Sequence, residues 1–443
     1  MSDDRHYRLL RDDENWSWLR HDHGDSDFWD PVKYLRLGER DDVFLTLGGE
    51  TRQWVEGYRN ELWGQTGVED NVYWLQRYML HADTHLTPYA RVFVQLKSGI
   101  EDGRQGGPRP VDEDLLDFNQ LYADTIAIPG ATLDDEPKLL LRTGLQEMSY
   151  GSGRLIDVRE GPNVRFGYDG VRLISRPLPF RIDAFAVRPQ VTQKNPFGDG
   201  PNLHEGFWGV YATYDVPHFV TDLYYLGLER EGAKYQKVAG TEWRQTIGAR
   251  ARGRFGAADL EVEGAYQFGS IASLPIAAWT VAAEGVMRGS NLPLRPVATL
   301  GLGATSGDGG ASNRALGTFN PLFPRGAYFG LVSANGPSNN VAPHAQLAAT
   351  FPAGFSGSIE AWAFWRQSPS DGVYNVPGMI LRTGAPSQGS YLGTQVEGFV
   401  TLQANRHLSF NATLAYFAVG TFFRTSPPGK DITYGAGWAT YKF

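Results

Sequence analysis

From position 42 to the C-terminus, apolar and polar residues alternate with a period of two, in runs of about ten residues. Helical spacing is nearly absent. The runs lie near 42–59, 72–86, 90–101, 118–128, 138–149, 168–176, 179–188, 206–215, 219–229, 242–254, 259–268, 275–287, 294–304, 342–351, 355–366, 391–402, 407–418 and 433–443. The gaps between them alternate in length. Short ones include "TPY", "PLP" (177–179), "VPH" (216–218), "FGAA" (255–258) and "ANRH" (404–407), with "PGATLDDEP" the longest of this class. Long ones include "NELWGQTGVEDN", "EDGRQGGPRPVDEDLLD", 189–205, 305–341, 367–390 and 419–432. This pattern predicts an all-β fold: one closed antiparallel transmembrane β-barrel of about 18 strands, with short periplasmic turns and long extracellular loops. An even strand number returns both ends to the periplasmic side. Residues 42–443 form the predicted barrel, and 1–41 a periplasmic arm that is a candidate pore plug.

The two faces of each run differ in kind. One run sets Ala90, Val92, Val94, Leu96, Ser98 and Ile100 against Arg91, Gln95, Lys97 and Glu101. Another sets Ile247, Ala249 and Ala251 against Arg244, Arg250, Arg252 and Arg254, and a third sets Leu260, Val262, Tyr266 and Phe268 against Glu261, Glu263 and Gln267. An arginine on the lipid face costs about 2–4 kcal/mol at the bilayer midplane, so these charges must face a wet interior. The chain ends on "GAGWATYKF", with Tyr441 and Phe443 on the expected outer wall and Gly435 and Gly437 a thin apolar face above them. A soluble sandwich or propeller shows the same alternation. It explains neither the long and short gaps, nor the aromatic last strand, nor small residues on a would-be core face.

Composition narrows the class further. The chain contains no cysteine, which removes thiol chemistry and disulfides. A net charge of −8 argues against a nucleic-acid partner. The longest apolar candidate, "SLPIAAWTVAAEGVM", is too short for a spanning helix and carries Glu284. The start, "MSDDRHYRLLRDDENW", lacks an apolar h-region, so an export signal is expected to have been removed.

Enzyme motifs are missing. There is no G-x-S-x-G, P-loop, G-x-G-x-x-G after a strand, or H-E-x-x-H. No catalytic residue, metal or cofactor is expected. Three weaker motifs remain open between a metal ion and ordinary chemistry: His81, Asp83 and His85 on one strand face, "HDHGDSD" (21–27), and "SGDGGASN" (306–313), where loop calcium competes with plain turn chemistry. Arginine is the strong signal. Arg142, Arg154, Arg159, Arg165, Arg172, Arg176, Arg181 and Arg188 come in one stretch, and Arg244, Arg250, Arg252 and Arg254 in another. Such residues can line a pore for anions. They can equally form rungs with Glu147, Glu261, Glu263, Glu284, Glu360 and Glu397. "FNPLFPRGAYFG" puts apolar residues in the long loop 305–341, which suggests a loop that folds back to constrict the pore.

The stretches "LRTGLQEMSYGSGRLIDVREGPNVRFGYDGVRL" (141–173), "NWSWLR…DFWDPVKYLRLGERDDVFLTLGGE" (15–50), "VFVQLKSGIEDGR" (92–104) and "FNPLFPRGAYFG" (319–330) resemble the alginate export family of bacterial outer-membrane barrels. The resemblance implies an eighteen-stranded barrel and passage of an acidic polysaccharide through an Arg-rich lumen gated by a loop. It makes Arg142, in "LRTGLQ", the first candidate for a substrate contact, followed by Arg154, Arg159 and Arg165. The Trp-rich arm (Trp16, Trp18, Trp29) and the compact loops depart from the family pattern.

The expected function is passive export of an alginate-like exopolysaccharide through an anion-selective outer-membrane channel. Arg142, Arg154, Arg159, Arg165, Arg172, Arg244, Arg250 and Arg252 are the expected pore-lining set. The alternative is a substrate-selective diffusion porin for small anions or sugars. A barrel enzyme is the least supported class. Expected partners are outer-membrane lipid, the anionic polymer or sugar, and periplasmic export proteins.

Overall fold

The structure is a computed structural model; it describes residues 7–21, 27–132, 135–310, 313–385 and 388–443. Eighteen antiparallel strands close into one barrel. In chain order they are β1 Phe44–Arg59, β2 Asp70–Thr87, β3 Ala90–Asp102, β4 Asp114–Ile128, β5 Leu139–Gln146, β6 Tyr168–Ser175, β7 Phe180–Val191, β8 Glu205–Val216, β9 Phe219–Lys234, β10 Ala239–Phe255, β11 Ala258–Ile271, β12 Leu274–Arg288, β13 Val297–Thr305, β14 Asn340–Thr350, β15 Phe355–Trp365, β16 Tyr391–Gln403, β17 Leu408–Val419 and β18 Ile432–Lys442. Closure comes from β1, which pairs with β2 from Phe44↔His85 to Arg59↔Asp70 and with β18 from Glu50↔Lys442 to Arg59↔Thr433. No wall strand is left with an open edge, the arrangement a backbone needs in hydrocarbon.

Burial is inverted relative to a soluble protein. Leu80, Leu223, Val262, Leu300, Ile359 and Leu414 are exposed, while Arg77, Asp83, Asp124, Arg142, Asp183 and Arg244 are buried. The period-two pattern accounts for this directly: apolar residues face outward and charged ones inward. The predicted long and short connections hold except at 235–238 and 272–273, where outer connections are as tight as periplasmic turns. The thin outer face at Gly435 and Gly437 is a shallow outward groove of about 920 Å³, shared with Val55, Gly57, Val400 and Leu414. The terminal aromatics do not meet lipid alone. Trp29 donates to the Tyr441 hydroxyl at 2.7 Å and stacks on Phe443 at 4.2 Å between ring centroids.

Two loops leave the wall and enter the lumen. β5 and β6 have only 8 residues each, against 16 in β1 and 18 in β2, so the 147–167 connection departs partway along the barrel. The departure follows Gly144, at φ +125°, where a Cβ would lie 2.3 Å from the Leu121 carbonyl oxygen. Arg52 donates to the Glu160 and Pro162 carbonyls at 3.0 and 2.9 Å, and Arg77 to those of Pro162 and Asn163 at 2.6 and 2.9 Å. From the same loop Ser152 reaches Glu263 on β11 at 3.0 Å, so the loop crosses from β1 and β2 to the far side.

Loop 306–339 folds back as its apolar residues suggest. Phe319, Leu322, Phe323, Phe329 and Val332 are all buried. It docks on the first loop through Phe323 N–H to the Leu155 carbonyl and Asp157 N–H to the Phe323 carbonyl, both 2.9 Å, and Arg325 N–H to the Gly153 carbonyl, also 2.9 Å.

Candidate functional site

The inward charges of β2 to β11 are organised as arginine and acid pairs. Arg142 on β5 grips Asp124 on β4 with two nitrogens, at 2.8 and 2.9 Å, a bidentate contact. Its ring neighbour is Tyr122, with the guanidinium 3.8 Å from the centroid. Arg91 on β3 holds Asp83 on β2 at 2.7 and 2.9 Å. Arg172 and Arg181 share Asp183, which also accepts from Tyr150 at 2.8 Å. Arg250 bridges Asp222 at 2.8 Å and Glu261 at 2.7 Å. Arg244 is fully buried against Glu242, Gln267 and the Thr318 carbonyl.

The remaining arginines of the expected set belong to the inward loop or the periplasmic end. Arg165 pairs with Glu147 at 2.8 Å and lies 3.4 Å from Glu160. Arg154 is 3.5 Å from Glu263. Arg159 sits in a left-handed backbone conformation at φ +58°, its guanidinium 4.4 Å from the Phe166 ring centroid, with no carboxylate at ion-pair distance among the described residues. Arg252 is 47% exposed and 3.8 Å from Asp259. Arg142, Arg172, Arg244 and Arg250 are buried in pairs, so the inner wall is not a bare row of guanidinium groups. Pairing with Glu147, Glu261 and Glu263 is present, whereas Glu360 and Glu397 lack a cation within ion-pair distance among the described residues.

The sequence reading did not single out the arm's own contacts. Asp12 enters from the periplasmic end and accepts from Arg142 Nη1 at 2.5 Å and from the Tyr122 hydroxyl at 3.0 Å. The Asp12 carbonyl accepts from Arg91 at 2.7 Å and the Leu9 carbonyl from Arg165 at 2.9 Å. Burial opposes ionisation of Asp12, but Arg142 and Arg91 outweigh it and hold its carboxyl below the usual carboxylate range. On the inward loop, Arg77, Arg165 and Arg52 do the same for Glu160 against the cost of burial. The base of the arm is fixed elsewhere. Lys33 donates to the Leu47 carbonyl at 2.9 Å, Thr46 to the Lys33 carbonyl at 2.7 Å, and Leu35 and Arg36 pair with Leu45 and Phe44. Burial, reinforced by Arg11, pulls the Lys33 ammonium down to about 7. Arg91 and Asp124 lie at polar positions of the alternation and were legible as inward-facing. Asp12 sits in a segment without periodicity, and nothing in its neighbourhood marks it.

The three metal candidates fare differently. In the strand stripe, Asp83 is engaged by Arg91, His81 stacks near Phe93 and His85 stacks on Phe44. Residues 22–26 of "HDHGDSD" and 311–312 of "SGDGGASN" lie outside the described residues. Asp308 accepts from the backbone N–H groups of Gly310 and Gly317, as a turn does. Among the described residues Asp114, Asp117 and Asp199 come within metal-ligand reach of one another, but the Lys97 ammonium already lies 3.1 Å from Asp114 and 2.8 Å from Asp199.

A closed eighteen-stranded wall with apolar residues outside, paired charges inside and loops folded into the lumen defines an outer-membrane β-barrel channel. The sequence model of the alginate export family matches residues 43–434, and the chain belongs to that family. No curated protein matches the sequence. The fold is similar to crystal structures of Pseudomonas aeruginosa OccK11 (OpdR), at TM-score 0.59 and 14% identity over 92% of this chain and 98% of that one. It is also similar to P. aeruginosa OpdO, at 0.59 and 12% over 90% and 97%, and to Acinetobacter baumannii OccAB1, at 0.60 and 12% over 94% and 99%. At these identities the likeness concerns the fold.

Proposed function

We propose that the channel passes an anionic, carboxylate-bearing polysaccharide outward, without energy input, along the arginine-dense side of its lumen. The observation that carries this reading is the family match over 43–434, which includes the stretch with Arg142, Arg154, Arg159, Arg165 and Arg172. Guanidinium groups already shared with wall acids bind a passing carboxylate weakly and at many points. A polymer then slides without being trapped. Arg159 and Arg252 are the members of the set with donors least engaged by acids.

A second reading is a substrate-selective diffusion porin for small anions or sugars. It is favoured by the division of the lumen. One cavity of about 420 Å³ is lined by Arg52, Trp54, Glu360, Glu397 and Lys442, and another of about 450 Å³ by Tyr150, Arg181, Asp183 and Tyr211. Spaces of that size suit one or two sugar rings.

Liposome swelling with oligouronates, neutral oligosaccharides and monosaccharides separates the two readings. Passage of oligouronates ahead of neutral chains of equal length is the expected result. Entry of monosaccharides alone supports the porin, and cation selectivity of the unmodified protein in planar bilayers overturns the export reading.

A further inference from the structure

We propose that the N-terminal arm is a built-in occupant of a carboxylate site: Asp12 stands on Arg142 and Tyr122 where a uronate carboxylate binds, and a uronate displaces it. This rests on the reading that the channel takes carboxylated sugars.

Arg142 divides its donors between two acids. Nε and Nη2 hold the wall residue Asp124, which also lies 3.6 Å from Arg91, while Nη1 is given to the arm's Asp12 at 2.5 Å. The wall therefore satisfies only part of the guanidinium and leaves one donor, beside the Tyr122 hydroxyl, for an acceptor that the wall does not supply. Arg91 and Arg165 repeat the arrangement. Each is paired to a wall or loop acid, Asp83 and Glu147, and each also reaches an arm carbonyl: Arg91 through the Nη2 it shares with Asp83, at 2.7 Å, and Arg165 through its Nη2, at 2.9 Å. Three guanidinium groups thus converge on four residues of arm, Leu9 to Asp12.

Asp12 is an imperfect ligand. It is 4% exposed, and its Oδ1 has no hydrogen-bond partner although it is buried. A buried acceptor left unmade carries a desolvation cost that a better-fitting carboxylate would not. Space lies beside it. Arg172 is the register partner of Arg142 across β5 and β6, and its acid Asp183 lines the cavity of about 450 Å³.

The arm is also attached in a way that permits exchange. The anchors at Trp29, Lys33 and Leu35–Arg36 lie downstream of Asp12. The tip is held by the Asp12 and Leu9 contacts, by Arg11 on the Gly49 and Phe443 carbonyls at 3.1 and 2.8 Å, and by Tyr7 on His407 at 3.0 Å. Losing the tip contacts leaves the base in place and uncovers Arg91, Arg142 and Arg165 at the periplasmic mouth, where an outgoing acidic chain arrives.

The test uses the full chain in detergent and in planar bilayers. Because the protein has no cysteine, Leu9→Cys accepts a single spin label at the arm tip. Sodium D-glucuronate is the probe and D-glucose the control. Glucuronate is expected to mobilise the label and glucose to leave it unchanged. Asp12→Asn, which removes the internal competitor's charge, is expected to lower the glucuronate concentration for half-effect on the order of tenfold, since the competing occupant taxes apparent affinity. Tyr122→Phe, a mild change, should weaken the glucuronate response, and Arg142→Gln should abolish it in protein that retains the heat-modifiable mobility of a folded barrel. An unchanged half-effect concentration in Asp12→Asn, with loss in Arg142→Gln, overturns the proposal and leaves the carboxylate reading standing. No response to glucuronate in any variant, with glucose and glucuronate passing equally in swelling assays, overturns both.

Discussion

The two halves of the inner wall share one alternation and carry different chemistry. From β1 to β11 the lumen face holds Arg52, Arg77, Arg91, Arg142, Arg172, Arg244 and Arg250, nearly all paired with acids. From β12 to β18 the strands offer Arg288 and Lys442, both at periplasmic ends, while Glu284, Glu360 and Glu397 face inward. The arm tip and the first inward loop are held by arginines of the first half. The cavity of about 420 Å³ lies mainly against the second half, with Arg52 and Trp54 of β1 on its edge. The lesson is that alternation sets which side of the wall a residue faces, whereas the charge on that side decides what can dock there. Asp12 at the arm tip and the carbonyls of Glu160 and Pro162 on the loop find arginine donors on the first half, whereas Asp27 nearer the arm's base is met by His407 and Arg406 between β16 and β17. A carboxylated solute in the lumen would be steered toward the first half.

The sealed arginines of the first half carry the largest expected effect. Arg244→Met leaves Glu242 buried without its cation, and the expected loss is about 3–5 kcal/mol of stability, read as a lower unfolding temperature in detergent. A smaller effect sharpens the contrast from the other side. Glu360 and Glu397 are direct register partners with like charge, a destabilising arrangement. Glu360→Gln with Glu397→Gln is expected to leave the fold intact or slightly firmer and to raise anion over cation permeability roughly twofold in bilayer reversal potentials. A fall in that ratio would show that the acid half does not sense the permeating ion.

The smallest expected change concerns the arm. The folded-state pKa of Asp12 lies below its ordinary value of 3.8, so its contribution to arm docking is present above 3.8 and lost as pH falls through the depressed value. A spin label at Leu9→Cys should gain mobility over that acidic range, while a label on the second half, at Leu414→Cys, should not.

Most of the wall was legible. Each run with Arg, Glu or Asp opposite Val, Leu or Ile became a strand in the expected place, because a bilayer gives a charged residue no alternative to the inner face. The apolar segment Phe319–Phe329 was legible for a related reason: those side chains in a long loop must find cover, and they find it in the lumen. Partners were not legible. Glu147, Glu261 and Glu263 pair with arginines, whereas Glu360 and Glu397 have no such partner among the described residues, since pairing depends on which strands are neighbours and on where a loop enters.

The amino-acid sequence by itself determined the strands and their two faces, because period-two burial is a local property of each strand, and its resemblance over stretches such as 141–173 pointed to the family. Only the tertiary structure decided that an aspartate from the non-periodic arm meets Arg142, 130 positions away, and that the 147–167 loop spans the lumen. Contacts of that kind are made by segments without periodicity, whose course is fixed by which donors in the finished wall are left to be satisfied.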